Sequence, residues 1–233
     1  MTTISNQSPT KPRSPERFSA AAAPIRCLVV DDHPAVRMGV RELLSAEPDF
    51  LVADAVATAE AAVSFAERRD VDVAVVDYQL GSRNGLWVSR KLKRLARPPK
   101  VLVYSAYSDG VLAAASVVAE ADGLLSKACV GAELCDAIRQ VARGRLLLPA
   151  VPSSLTASMR RRLDPEEQAI FGMLLAGIGT SEIAATMALS GAGLESRLGS
   201  MLRKLERLET DHGRELRRQP LQNRPFGARR RTG

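Results

Sequence analysis

Five polar side chains stand just beyond short apolar runs in this 233-residue chain. Asp31 and Asp32 follow residues 25–30, Asp77 follows 73–76, Ser105 follows 101–104, and Lys127 comes shortly after 123–125. Three carboxylates brought together repel and raise one another's pKa unless a cation lies between them. A hard divalent ion with oxygen ligands, Mg²⁺ in a cell, meets that need. A lysine and a hydroxyl beside it suit the oxygens of a phosphoryl group. Each residue alone has a plainer reading. An Asp-Asp pair after a strand is commonly turn chemistry, a lysine is commonly solvated surface, and a serine at a strand end commonly bonds nearby backbone. Specificity comes from finding all five at strand ends, in this order.

The elements that must hold these residues alternate short apolar runs with stretches of helical period. Strands are expected at 25–30, 50–55, 73–76, 101–104 and 123–125, and helices at 34–46, 58–68, 86–95, 111–120 and 131–143. Runs this short, separated by helices of this length, imply βαβ units and a parallel sheet. Residues 25–144 therefore form an α/β domain, a five-stranded doubly wound parallel sheet with helices on both faces. Functional groups of such a sheet gather at the carboxyl ends of its strands. Residues 145–158, with Pro149 and Pro152, break the rhythm and read as a linker. From 159 to 210 only helical patterns remain, as in a small all-α domain. Asp164-Pro165-Glu166-Glu167 opens its first clear helix, with Asp as N-cap, Pro at the first position and acids in the first turn. That helix should run to about Ala176 and end at Gly177, with further helices at 181–187 and 192–208. Residues 1–24 read as a disordered tail and 211–233 as a basic disordered tail.

Composition narrows the function classes. Hydrophobic residues make up 45% and aromatics 4%, so the core must be aliphatic. No apolar run reaches the roughly 18 to 20 residues that span a bilayer, and the first 24 residues lack the apolar segment of a signal peptide. A cytoplasmic protein without membrane contact is expected. Cys27, Cys129 and Cys135, with only His33 and His212 to assist, match no zinc spacing and read as free thiols. The net charge of +7 is uneven, because residues 156–233 hold 14 basic against 9 acidic residues. That asymmetry favours a polyanionic partner for the C-terminal part, against the plainer reading of a soluble basic tail.

With these residues in place, the stretch 25–143 resembles the receiver domains of two-component response regulators, which have a flavodoxin-like fold. The resemblance lies in Val29-Val30-Asp31-Asp32-His33-Pro34, in Asp77 followed eight positions later by Gly85, in Ser105-Ala106, and in the closing segment ending at Lys127. It implies that Asp77 is the phosphoacceptor, with Asp32 a direct Mg²⁺ ligand and Asp31 acting through a bound water. The main-chain carbonyl of Gln79 would complete the protein's ligands. Lys127 would pair with the phosphoryl group and Ser105 would move to hydrogen-bond it. The donor would be the phosphohistidine of a sensor histidine kinase. Two positions depart from the family pattern. Leu124 stands where an aromatic switch residue is usual, with Tyr104 and Tyr107 nearby, and Gly81 replaces a usual proline. A haloacid-dehalogenase-like phosphatase also uses a strand-end Asp, but it wants a second Asp where this chain has Gln79. A regulator is therefore preferred to an enzyme.

Residues 163–205 resemble the LuxR-type helix-turn-helix through Asp164-Pro165-Glu166-Glu167, Leu174-Leu175-Ala176-Gly177, Glu182-Ile183-Ala184, Leu189-Ser190 and Leu202-Arg203-Lys204-Leu205. The resemblance implies a transcription regulator that binds double-stranded DNA and forms a homodimer when phosphorylated. On the third helix, Leu194, Leu198, Met201, Leu205 and Leu208 share one face. Ser196, Ser200 and Arg203 would then meet the major groove while Arg197, Lys204 and Arg207 touch phosphates. Glu195 stands where the family usually has a basic residue, and Gly193 and Gly199 are further departures. A three-helix bundle that works only through protein contacts is the alternative reading.

Overall fold

The computed structural model describes residues 23–81, 83–106 and 109–218, with side chains for all of these except Arg160 and 208–218. Along each strand, alternate residues point to opposite faces, and both faces of the central strands are apolar, so the sheet is covered on both sides. Strands β1 (Ile25–Val30), β2 (Phe50–Val56), β3 (Val73–Asp77), β6 (Lys100–Ser105) and β7 (Gly123–Ser126) form one parallel sheet in the order β2-β1-β3-β6-β7. Helices α1 (Pro34–Ser45) and α5 (Ala132–Ala142) pack on the face carrying Cys27, Val29, Val73, Val75, Leu102 and Tyr104. Helices α2 (Ala59–Arg68) and α3 (Gly85–Leu92) cover Leu28, Val30, Ala74, Val76 and Val101 on the other face. Helix α4 (Gly110–Val118) covers Val103 and Leu124 there. The strand order reverses direction between β1 and β3, which places a crevice at their carboxyl ends.

The short hairpin of β4 (Gln79–Leu80) and β5 (Arg83–Asn84) was not expected. It explains the missing proline, because Gly81 sits at φ +56° in the turn, and a proline ring locks φ near −65°.

The segment expected to be a plain linker does more. Leu147 bridges to Gly123 at the sheet edge, and Pro152 lies where a Cβ on Gly110 would meet its ring. The segment then turns into helix α6 (Ser153–Arg160), whose Met159 is buried. The apolar pattern here is too short to reveal a helix whose stability comes from tertiary packing.

Helices α7 (Pro165–Leu175), α8 (Thr180–Thr186) and α9 (Gly191–Arg218) follow. The capping box of Asp164 and Glu167 is formed on both sides, at 2.9 and 3.1 Å. Gly177, at φ +78°, ends α7 as expected. Helix α9 continues through Arg218, so that part of the expected basic tail is helical. Its Leu, Glu and Arg residues are good helix formers even after the apolar stripe ends. The N-terminal tail up to residue 22 and the stretch 219–233 lie outside the described residues, as does Tyr107. Among the described residues, no helix is long and apolar enough to cross a membrane.

Candidate functional site

In the β1–β3 pairing Val30 lies opposite Val76, so Asp31 and Asp77 leave the sheet side by side. Both are nearly sealed from solvent, at 3% and 4% exposure. Lys127, delivered by the segment after β7, places its Nζ 2.6 Å from Asp31 Oδ2 and 2.8 Å from Asp77 Oδ2. Burial and the neighbouring Asp31 push the Asp77 carboxyl above its usual range, although Lys127 opposes the shift. Burial alone would lower the Lys127 ammonium, but its hydrogen bonds to Asp31 and Asp77 outweigh that and raise it.

Asp32 is half-exposed at the rim, and its Oδ1 is 2.7 Å from His33 Nδ1. Ligand atoms of Asp31, Asp32, His33 and Asp77 all lie within 4.8 Å of one another. Three carboxylates and one exposed imidazole form a donor set dominated by hard oxygens, which fits Mg²⁺. The amide of Gln79 donates to Asp77 Oδ1 at 3.3 Å, so the turn that carries the Gln79 carbonyl is anchored on Asp77. Ser105 is buried at the end of β6, one residue past Tyr104, which pairs with Asp77. Its carbonyl accepts the Lys127 amide at 2.7 Å.

The eight-residue spacing from Asp77 to Gly85 has a steric cause. A Cβ on Gly85 would stand 2.3 Å from the Asp77 carbonyl oxygen and 3.1 Å from Tyr78 Cα, both backbone atoms that cannot swing aside. The Gly85 amide also donates to the Tyr78 carbonyl at 2.7 Å. Gly85→Ala is therefore expected to lower stability by roughly 1–3 kcal/mol and to slow phosphorylation by shifting Asp77. Urea unfolding, with labelling in parallel, checks this; full stability with normal labelling would refute it.

The C-terminal helices pack against the α/β domain. Helix α4 is apolar nearly all round, and its second face joins Ile170, Phe171, Leu174, Leu194 and Leu198 in one continuous cluster. On α9, Leu194, Leu198, Met201 and Leu205 are buried as expected. Glu195, the misplaced acid, is paired with Arg90 and Arg94 of the α/β domain, and Arg90 Nη2 also donates to the Glu195 carbonyl at 2.8 Å. Gly199 faces the same guanidinium, since a Cβ there would lie 3.2 Å from Arg90 Nη1. Further along that stripe, Asn84 Nδ2 donates to Glu206 Oε1 at 2.8 Å. Arg94 also pairs with Glu120, which accepts from Thr180 Oγ1 at 2.9 Å. Glu120 adopts φ +58°, a costly conformation for a residue with a Cβ.

The six residues assigned to DNA fall into two groups. Ser196, Arg203 and Arg207 are exposed. Arg197 instead pairs with Asp164 and Glu166, Lys204 pairs with the buried Glu167, and Ser200 hydrogen-bonds the same Glu167. Motif spacing alone did not single out Arg90, Arg94, Glu120 and His33. The uncharged run 111–118 is the signal that α4 is covered on both sides, because a helix apolar all round belongs in a core.

A sheet in this order, with a lysine bridging two buried carboxylates at the reversal of direction, defines a receiver domain. Residues 27–139 match the response regulator receiver domain family. The chain is 31% identical to the DNA-binding transcriptional activator DevR/DosR of Mycobacterium tuberculosis, over 78% of this chain and 88% of that protein. It is 27% identical to the nitrate/nitrite response regulator protein NarL of Escherichia coli, over 78% of this chain and 90% of that one. A structure of the response regulator RcsB in complex with DNA shares the fold, with TM-score 0.52 and 21% identity over 78% of this chain and 92% of that chain. The chain belongs to the response regulators.

Proposed function

We propose that this response regulator accepts a phosphoryl group on Asp77 from a sensor histidine kinase and acts as a DNA-binding regulator of transcription. The observation that carries the first half is the Lys127 ammonium held between Asp31 and Asp77 at the crevice. The Asp77 carboxylate attacks phosphorus in line, the new O–P bond forms as the donor's P–N bond breaks, and the electron pair leaves with the imidazole. Asp31, Asp32, Asp77 and the main-chain carbonyl of Gln79 are the proposed Mg²⁺ ligands. A Mg²⁺ ion held by these ligands would offset charge on the phosphoryl oxygens. Lys127 exchanges part of its carboxylate contact for a phosphoryl oxygen, and the Ser105 hydroxyl turns toward the same group.

A change at Ser105 reaches the C-terminal helices by a short route. The connection from β6 leads directly into α4, whose far face holds those helices. Phosphorylation biases this contact toward release, which frees α9 for DNA and a homodimer. In the DNA-bound form Ser196, Ser200 and Arg203 meet the groove while Arg197, Lys204 and Arg207 reach phosphates. The similarity to DevR/DosR, a DNA-binding transcriptional activator, supports the DNA-binding reading.

A second reading is a receiver that signals through protein contacts, and the pairing of Glu195 with Arg90 and Arg94 favours it. Selection of genomic fragments by the full chain, with and without acetyl phosphate and Mg²⁺ at near-physiological salt, separates the two. A few discrete sites enriched on phosphorylation are expected. Unselective recovery that fades steeply with salt, or no recovery, would leave the protein-contact reading.

A further inference from the structure

Tyr104 is buried, at 4% exposure, on the strand next to the phosphoacceptor, and the departure at Leu124 makes it natural to ask whether its ring serves as the switch. It does not share Leu124's surroundings. Leu124 packs with α4, whereas Tyr104 packs among Leu134, Cys135 and Ile138 on the opposite face of the sheet. From there its hydroxyl donates to the Cys129 carbonyl at 2.9 Å and lies 3.5 Å from the Lys127 carbonyl.

The segment it holds carries Lys127. Residues 126–131 contain no proline, and Gly131 sits at φ +61°. Inside this segment the Cys129 amide bonds the Ser126 carbonyl at 2.9 Å and the Ala128 amide bonds Ser126 Oγ at 3.2 Å. The Lys127 amide is fixed to Ser105 at its start, and Tyr104 fixes the carbonyl two residues later. The lysine backbone is thus pinned on both sides. One of the two pins comes from the residue that faces Asp77 across the β3–β6 ladder.

We propose that Tyr104 is a positioning residue for phosphoryl transfer, its hydroxyl holding the 126–130 loop so that the Lys127 ammonium meets the phosphoryl group at Asp77. This rests on the reading of Asp77 as phosphoacceptor. With an acyl phosphate as donor, an Asp77 oxygen forms the new O–P bond, the acyl O–P bond breaks, and the carboxylate leaves with the electron pair. Tyr104 makes and breaks no bond in this step. It acts only through the place it gives Lys127.

Tyr104→Phe keeps the ring and its packing and removes the one hydroxyl. In the full chain with acetyl phosphate, the maximal labelling rate is expected to fall about tenfold, since small misplacements of a catalytic group are costly. The thermal midpoint and the Mg²⁺ concentration for half-maximal rate should stay near wild type. In a Lys127→Ala background the same substitution should change the rate little, because the group it positions is gone. An unchanged rate in the single variant, or an equal loss in the Lys127→Ala background, would overturn the proposal. If wild type took no label, or if Asp77→Asn kept it, the phosphoacceptor reading itself would fall, and this proposal with it.

Discussion

Replacing Asp77 by asparagine is expected to abolish uptake of label from a small acyl phosphate in the presence of Mg²⁺. The amide lacks the anionic oxygen that forms the O–P bond, and no nearby carboxylate takes its place. Asp31 is the other buried acid of this site, but it is held by the Lys127 ammonium at 2.6 Å, and Asp31 Oδ1 also accepts the His33 amide at 2.8 Å. The variant should still fold, because Lys127 keeps Asp31 as a partner and the amide is close in size to the carboxyl it replaces. Lys127→Ala makes a useful contrast. It leaves Asp77 in place and removes one preorganised charge, so labelling should slow by about 10²–10³-fold without vanishing. Mass spectrometry of the intact chain after acetyl phosphate treatment reads both. Wild-type label in the Asp77→Asn variant would rule out Asp77 as the acceptor.

The parts of this site that could be read from sequence are those where one short stretch contains the whole constraint. Asp31, Asp32, Asp77, Ser105 and Lys127 each follow an apolar run, and the rule that parallel sheets gather function at strand ends brings them together without further knowledge. The Gly85 spacing is visible as a pattern, but its cause, a backbone oxygen 2.3 Å from the missing Cβ, is a contact that only the folded chain creates. The capping box of α7 was legible because it is local. Helix α6 was not, since Met159 owes its burial to distant residues.

The receiver-facing stripe of α9 escaped for a related reason. At 100° per residue, Glu195, Gly199, Leu202 and Glu206 lie between the apolar face and the face with Ser196 and Arg203. Helical periodicity separates buried from exposed, but it cannot tell a solvated polar stripe from one that meets another domain. Against the pattern of a DNA-reading helix Glu195 and Gly199 are defects. Against Arg90 and Arg94 they are a charge complement and a space for a guanidinium. The strained Glu120 fits the same account, because its side chain links Arg94 of the receiver to Thr180 at the start of α8.

If that contact keeps α9 against the receiver, loosening it should raise DNA binding before any phosphorylation. Glu195→Gln removes the charge pairing with Arg90 and Arg94 without adding a cation. The pairs are about one-third exposed on the Glu195 side, so their loss is discounted for solvent to about 1 kcal/mol. That is about a fivefold shift toward the separated domains. Glu195→Lys adds repulsion against both guanidinium groups and a new cation beside Ser196, so its effect on affinity for duplex DNA should be larger, about tenfold or more at low salt. Arg90→Ala separates the two causes, since it breaks the pair and removes positive charge from the receiver while leaving α9 unchanged. Fluorescence anisotropy with a labelled duplex, run beside limited proteolysis of the 145–152 segment, reads binding and opening together. A joint rise in binding and cleavage for Glu195→Gln and Arg90→Ala means that the receiver occludes the helix. If only Glu195→Lys gains affinity, the added charge explains the gain and the contact is not inhibitory. If Glu195→Lys gains none even at low salt, this stripe does not approach the duplex, and the C-terminal helices work through protein contacts instead.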